Sequence, residues 1–228
     1  MIIERFGISL HILQEQHIEQ VRSWRNSQFI SENLIERKHI TSAQQALWFK
    51  TIQNEQNAYF IIKVNEENAG LVYLTNINWT DLTFEANMFM GSEKFVASTI
   101  PVYASLSISD LFFFELGFKK AFSKYFIKNN RSAQFDSGFG FSYIHKQDDS
   151  LIYSYATRHS YLQSSEKVRL ALYRSNPQNQ SCIIKFNPIN QQSDIEIKIS
   201  QSLSAYSIID QTNRIILSFS DISHQSDL

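Results

Sequence analysis

Large aromatic side chains are buried only where other large side chains meet them, so their distribution marks where a chain can build a core. Here 28 of the 31 Phe, Tyr and Trp residues precede residue 175, and only Phe186, Tyr206 and Phe219 follow it. The change falls at a polar stretch, Arg174-Ser175-Asn176-Pro177-Gln178-Asn179-Gln180-Ser181. The chain is therefore divided there. Residues 1–174 read as the main domain and residues 175–228 as a small β-rich appendage. The appendage has too little aromatic mass to fold alone and is expected to pack on the main domain.

Charge and cysteine usage narrow the function classes. Lys and Arg total 21 against 22 acidic residues, a net charge of -1, which lacks the footprint of a protein that tracks a nucleic-acid backbone. Cys182 is the single cysteine, so no internal disulfide or multi-thiolate metal site can form, and a reducing interior fits. The first residues, MIIERFGISL, carry charge early and read as no signal peptide. The apolar run Leu111–Phe114 is far shorter than the ~20 residues a membrane span needs. His11, His17, His39, His145, His159 and His224 have no ligand spacing, so no metal is expected. The expectation is a cytoplasmic protein with neither nucleic-acid nor membrane partners.

With 6 Gly and 3 Pro in the whole chain, turns are read from Asn, Asp and Ser. Strand patterns fall at Ile8–Leu13, Tyr59–Val64, Gly70–Asn76, Thr83–Met90, Lys119–Lys128 and Leu151–Thr157. Helical spacing falls at Gln14–Ser27, after Thr41 or Ser42, and from Ser98 or Thr99 to Gly117. Asn129–Ser137 is polar and helical, and Phe112-Phe113-Phe114 reads as core within its helix. In the appendage, Cys182–Phe186, Ile195–Ser200 and Arg214–Phe219 read as strands.

This order resembles the GNAT superfamily of N-acetyltransferases over roughly residues 8–173. The matching motifs are Trp24-Arg25-Asn26, Ile40-Thr41 with Trp48-Phe49, Ala69-Gly70-Leu71-Val72, Asn76-Ile77-Asn78, Gly91-Ser92-Glu93-Lys94-Phe95, and Asn129-Asn130-Arg131-Ser132 followed by Gly140-Phe141. The resemblance implies an α/β (α+β) fold, a central mixed sheet flanked by helices. It also implies acetyl-CoA as acyl donor and a small-molecule amine as acceptor. The WRN, I-T, W-F and N-I-N-W combination is most similar to the branch that acetylates nucleotide-linked amino sugars. Assembly as a homodimer is left open.

Site residues follow from the same resemblance. Glu85, on a strand beside the cleft, stands where relatives carry a catalytic carboxylate, and an exposed strand acid is the alternative. Trp24, Arg25 and His39 fall on the acceptor side, where Trp24 and Trp48 read as core or as walls for a sugar or base. Asn129 would contact the pantetheine arm or simply end its strand. The cofactor loop departs from the family pattern. Val96, Thr99 and Pro101 occupy the Q/R and the two Gly positions of Q/R-x-x-G-x-G/A. Pro101 supplies no N–H to a phosphate, and a Thr99 hydroxyl can cap its own helix. Ser98 and Thr99 therefore read either as a helix cap or as a modified phosphate loop. The family's acid, a Tyr seven residues after the Asn, is replaced by Asp136, which is expected to face solvent or to be a polar residue at a helix end. Two readings stand: an N-acetyltransferase with a non-standard loop, or a catalytically degenerate module used for binding or assembly.

Overall fold

The computed structural model describes residues 1–34, 38–146, 150–175, 181–203, 208–209 and 214–218. Residues 176–180 of the polar stretch, Tyr206, Phe219, His224 and the side chain of His145 lie outside that description. The elements begin β1 (Ile2–Arg5), β2 (Ile8–Ile12), α1 (Ile18–Asn26), α2 (Gln28–Ser31), α3 (Ser42–Thr51), β3 (Ala58–Val64), β4 (Glu67–Asn78) and β5 (Thr83–Met90). They continue with α4 (Glu93–Val96), α5 (Ile100–Asp110), β6 (Lys120–Phe126), α6 (Asn130–Gly138), β7 (Ser142–Lys146), β8 (Leu151–Thr157) and α7 (Arg158–Ser175). The last are β9 (Ser181–Lys185), α8 (Asp194–Ser202), β10 (Ile208–Ile209) and β11 (Arg214–Ser218).

One mixed sheet runs through the molecule in the order β10-β11-β9-β1-β2-β3-β4-β5-β6-β8-β7. Among the described residues β5 and β6 form the parallel pair and the other ladders are antiparallel. The parallel step follows from chemistry already visible in the chain: a helix-forming segment separates the two strands, and only a crossover of that length returns the chain in the same direction. β9 pairs with β1 along Ile2–Glu4, so residues on both sides of position 174 share a single sheet.

Helices cover both faces. One face carries the larger core, in which Phe84, Phe112, Phe113, Phe118 and Tyr161 are almost wholly buried. The other is a smaller cluster of Leu13, Val21, Ile52, Tyr59, Ile61 and Leu71, flanked by Trp24 and Trp48 from α1 and α3.

Local signals account for most boundaries. Thr41 caps α3, its Oγ1 accepting from Gln44 N at 3.3 Å while Gln44 returns the bond to Thr41 N at 2.9 Å. Asn65 and Glu66 both take positive φ, as a two-residue type I′ hairpin turn requires. The helix ending before Gly117 is tightly followed rather than uniform: α5 passes into a π-turn over Leu111–Glu115, closed by Leu116 N to Leu111 O. That turn buries Phe112 and Phe113, as expected for core.

Several elements depart from expectation, among them the short β7, α2, α4 and β10, which the sequence did not show. β1 is a strand that the sequence reading did not include. Ile195–Ser200 is helical, not a strand. Ser193 and Glu196 form a capping box, and Ile195 and Ile199, four apart, are buried while Ile197 faces out. Alternating Ile residues fit both periods, and the cap decided between them. Finally, α7 spans 18 residues but docks through Tyr161, Ser165 and Arg169, a largely polar stripe.

That stripe meets a buried charge. Asp110 accepts from Tyr161 Oη at 2.6 Å, from Arg5 Nη1 at 2.5 Å and from Arg169 Nη1 at 2.7 Å, with a second, shorter bond from Arg169 Nη2. Burial alone would raise the Asp110 carboxyl, but Arg169 and then Arg5 hold it below the usual range. The same carboxylate and burial push the Tyr161 phenol up. A salt-bridged triad of this kind ties β1, α5 and α7 together through one residue.

Candidate active site

The site is built around a divergence in the sheet. β5 and β6 pair through Thr83–Lys120, Phe84–Ala121 and Glu85–Phe122, and no farther. Beyond Glu85 the two strands separate, so one edge of each exposes backbone N–H and C=O groups. Side chains alternate along β5, so Phe84 enters the larger core while Glu85 points to the face covered by α1 and α3.

Glu85 is held rather than exposed. Its Oε1 lies 3.1 Å from Lys124 Nζ across the divergence, and its Oε2 accepts from Lys124 at 3.2 Å and from Asn76 Nδ2 at 3.3 Å. Asn87 Nδ2 lies 3.4 Å from Oε1. The Asn76 contact depends on an irregularity in β4: the register with β5 shifts between Thr75 and Asn78, and Asn76 takes φ +50. A bulge of that kind re-aims a side chain, and here it turns an amide toward the carboxylate. Asn76 stood in the sequence only within the Asn76-Ile77-Asn78 motif, with no role assigned, and Asn87 and Lys124 were not singled out. An Asn that adopts positive φ in a strand next to a charged position was the available signal.

Around Glu85 the face is aromatic. Tyr59 stacks on Tyr73 with centroids 4.8 Å apart, Trp48 meets Tyr59 edge-on at 5.3 Å, and Trp24 meets Phe89 edge-on at 6.2 Å. Gly91 allows this, because a Cβ there would lie 2.5 Å from Trp24 Cε2. Trp24 thus packs on the end of β5. Arg25 places its guanidinium over the Trp48 ring at 5.7 Å and has no carboxylate partner among the described residues. Burial pushes the Tyr73 phenol up to about 12, with Arg25 drawing it down and Glu85 pushing it up, so both charges lie within reach of the same ring.

The WRN asparagine has a structural task. Asn26 Nδ2 donates to Ile40 O at 2.8 Å, and its Oδ1 accepts from Ile40 N at 2.8 Å, clamping the segment after α2 to α1. His39, next to Ile40, is exposed. Asn129 caps α6 by accepting from Ser132 N at 3.0 Å, and it lines a cavity of about 620 Å³ at the far end of β6 with Glu32, Lys128 and Ser150. The structure thus gathers Trp24, Arg25 and Glu85 on one face and leaves His39 and Asn129 outside that cluster.

The donor side is differently arranged. Ser98 Oγ donates to Phe95 O at 2.6 Å and accepts from Ile100 N at 3.2 Å. Thr99 makes no side-chain cap. A short helix, α4, ends at Val96, just before the positions where glycines would stand. Asp136 is a polar residue in the last turn of α6, one of its two expected placements, and is half-buried rather than facing solvent. It lies on the opposite face from Glu85, where Ser154 Oγ donates to Oδ2 at 3.2 Å. Burial pushes its carboxyl up to about 6, the hydrogen bonds from Ser123 and Ser154 drawing it back down. No three His, Cys, Asp or Glu side chains among the described residues converge on a metal-sized gap. No helix among them is long and apolar enough to cross a membrane.

No family model matches the chain, and no curated protein matches it by sequence. Solved structures do. The spermidine N-acetyltransferase from Vibrio cholerae, in complex with CoA and spermine, superposes with a TM-score of 0.62 at 17% identity, over 68% of this chain and 98% of that one. Apo FdhC, a nucleotide-linked sugar GNAT, gives 0.62 at 20% identity over 74% and 97%. A domain from Methanocaldococcus jannaschii gives 0.58 at 18% over 66% and 97%. With the strand order, the parallel β5–β6 divergence and helices on both faces, the chain has the GNAT N-acetyltransferase fold.

Proposed function

We propose that this protein is an N-acyltransferase that moves an acetyl group from a CoA-type thioester to a small amine. The observation that carries the reading is the divergence of β5 from β6 directly beyond Glu85, with Glu85 held at its mouth. A thioester arm lying between the strand edges brings its carbonyl carbon to the face where Glu85 stands. An ammonium acceptor enters there by displacing Lys124. Glu85 accepts one proton from the amine, directly or through a water. The neutral nitrogen then adds to the carbonyl carbon, the C–N bond forms as the C–S bond breaks, and the proton that the acylated nitrogen loses passes through water to the departing thiolate.

The acceptor class is read from the same face. Arg25 supplies a cation without a carboxylate partner among the described residues, and Trp24 and Trp48 supply flat walls. An amine that also carries an anion and a ring fits those groups, and a nucleotide-linked amino sugar is such a molecule. The test is acetyl transfer from acetyl-CoA to a panel of amines, read by mass. Transfer to an anionic amino sugar and a fall of about 10²–10⁴-fold in Glu85→Gln are expected. Consumption of no thioester with any amine removes the reading.

One observation favours the second reading, a non-catalytic binding module. The start of α5 has one amide engaged by Ser98 and another replaced by Pro101. A thioester that binds and is never consumed would fit it.

A further inference from the structure

Resting on the acyltransferase reading above, we infer that the donor is recognised through its pantetheine thioester arm, and that its nucleotide diphosphate is not read. A diphosphate is held by several backbone N–H groups converging at a helix N-terminus, with no side chain in the way. At α5 the Ile100 amide is bonded to Ser98 Oγ, and Pro101 has no amide to offer. The residues preceding the helix carry side chains where close approach needs glycine, and Ser98 and Thr99 are exposed. The charge is also wrong. Lys94 on the adjoining α4 is engaged by Glu67 at 2.6 Å, and Glu93 stands beside it. A dianionic group there meets a lysine already paired with Glu67 and the exposed acid Glu93 beside it.

The opposite holds between the strands. From Ala86 to Met90 on β5 and from Ser123 to Phe126 on β6, neither strand pairs with the other. Each keeps a ladder on its far side, so each retains an edge of N–H and C=O groups toward the gap. A pantetheine chain has two amides along an extended backbone, and it complements such edges by strand-like hydrogen bonding. The binding contacts for the donor therefore lie along the arm. The same arm occurs in free thioesters and on acyl carrier proteins.

Calorimetry on the full chain separates the parts. The ligands are acetyl-pantetheine, acetyl-4′-phosphopantetheine, acetyl-CoA, adenosine 3′,5′-bisphosphate, and a carrier protein bearing acetyl-phosphopantetheine. The three small thioesters are expected to bind within about threefold of one another, and the bisphosphate is expected not to compete. A carrier protein binding tenfold tighter identifies a carrier as the source, and equal binding identifies a free thioester. A CoA preference above thirtyfold, competition by the bisphosphate, or no binding of acetyl-pantetheine overturns the inference. The double variant Thr99→Gly/Pro101→Gly restores two glycines. It is expected to give acetyl-CoA a tenfold advantage and to leave acetyl-pantetheine unchanged, with circular dichroism checking that the helix survives. Failure of this inference is distinct from failure of the acyltransferase reading. Equal thioester binding without transfer to any amine removes the reading and keeps the inference. Transfer with a strong CoA preference does the reverse.

Discussion

The two faces of the sheet treat polar groups in opposite ways. On the α5 face a buried carboxylate, Asp110, is matched by Arg5, Arg169 and Tyr161 within a large aromatic core. On the α1–α3 face the hydrophobic cluster is small, the Arg25 guanidinium lies over the Trp48 ring, and among the described residues both amide atoms of the buried Gln45 have no hydrogen-bond partner. The contrast separates two tasks. The first face gathers its cations on one buried carboxylate and ties β1, α5 and α7 together. The second keeps polar groups available beside the strand divergence, which costs stability and provides chemistry.

The largest expected effect breaks the matched face. Asp110→Ala leaves two buried guanidinium groups without their carboxylate and should cost about 3–5 kcal/mol. Urea unfolding checks it, and a loss under about 1 kcal/mol would erase the difference between the faces.

Next comes Asp136, a carboxyl on the matched face with no cation beside it. Its folded value of about 6 lies above the ordinary 3.8, so the folded state holds a proton more tightly than the unfolded chain. Stability therefore falls as pH rises from about 4 to 6, by about 2–3 kcal/mol in total, and stays lower above that window. Melting temperatures across pH 3.5–8 read the slope, and Asp136→Asn should flatten it. An unchanged slope in the variant would assign it elsewhere.

Gly91→Ala sharpens the comparison from the other side. The added methyl displaces the Trp24 indole from the end of β5, at about 1–3 kcal/mol, and should shift tryptophan emission. Emission and stability identical to the parent would show that Trp24 is not fixed by that contact. Smallest is Glu85→Gln. Its partner Lys124 is about a third exposed, so the stability change should stay below about 1 kcal/mol. Chemical denaturation checks it, and a loss of several kcal/mol would make Glu85 a structural residue.

Legibility followed the range of the interaction. Thr41 announced α3 because its capping bond reaches only three residues, while the cap that Asn129 gives α6 was not among its expected roles. The β5–β6 parallel step was readable because a helix-length segment joins the strands. The Trp24, Arg25 and Glu85 cluster was legible as a resemblance, yet Lys124 and Asn76 were not. Their contact with Glu85 requires the register of β6 against β5 and a bulge in β4, neither of which leaves a pattern in one strand alone.

By itself the sequence determined the strands from Ile8 to Met90, the helices after Thr41 and before Gly117, and the loss of the glycines before α5. These depend on propensities, caps and periods that act within a few residues. Tertiary structure alone decided that α7 exists where hydrophobic periodicity is weak, because its buried face is Tyr161, Ser165 and Arg169, and their desolvation is offset only by an Asp110 that lies 51 and 59 residues from Tyr161 and Arg169 in the chain. It likewise decided that Ser98 bonds to Ile100 N, and that β5 and β6 part just past Glu85. A hydrogen-bond partner far along the chain is invisible to a local pattern, since its contribution arises only when folding brings the two groups out of water together.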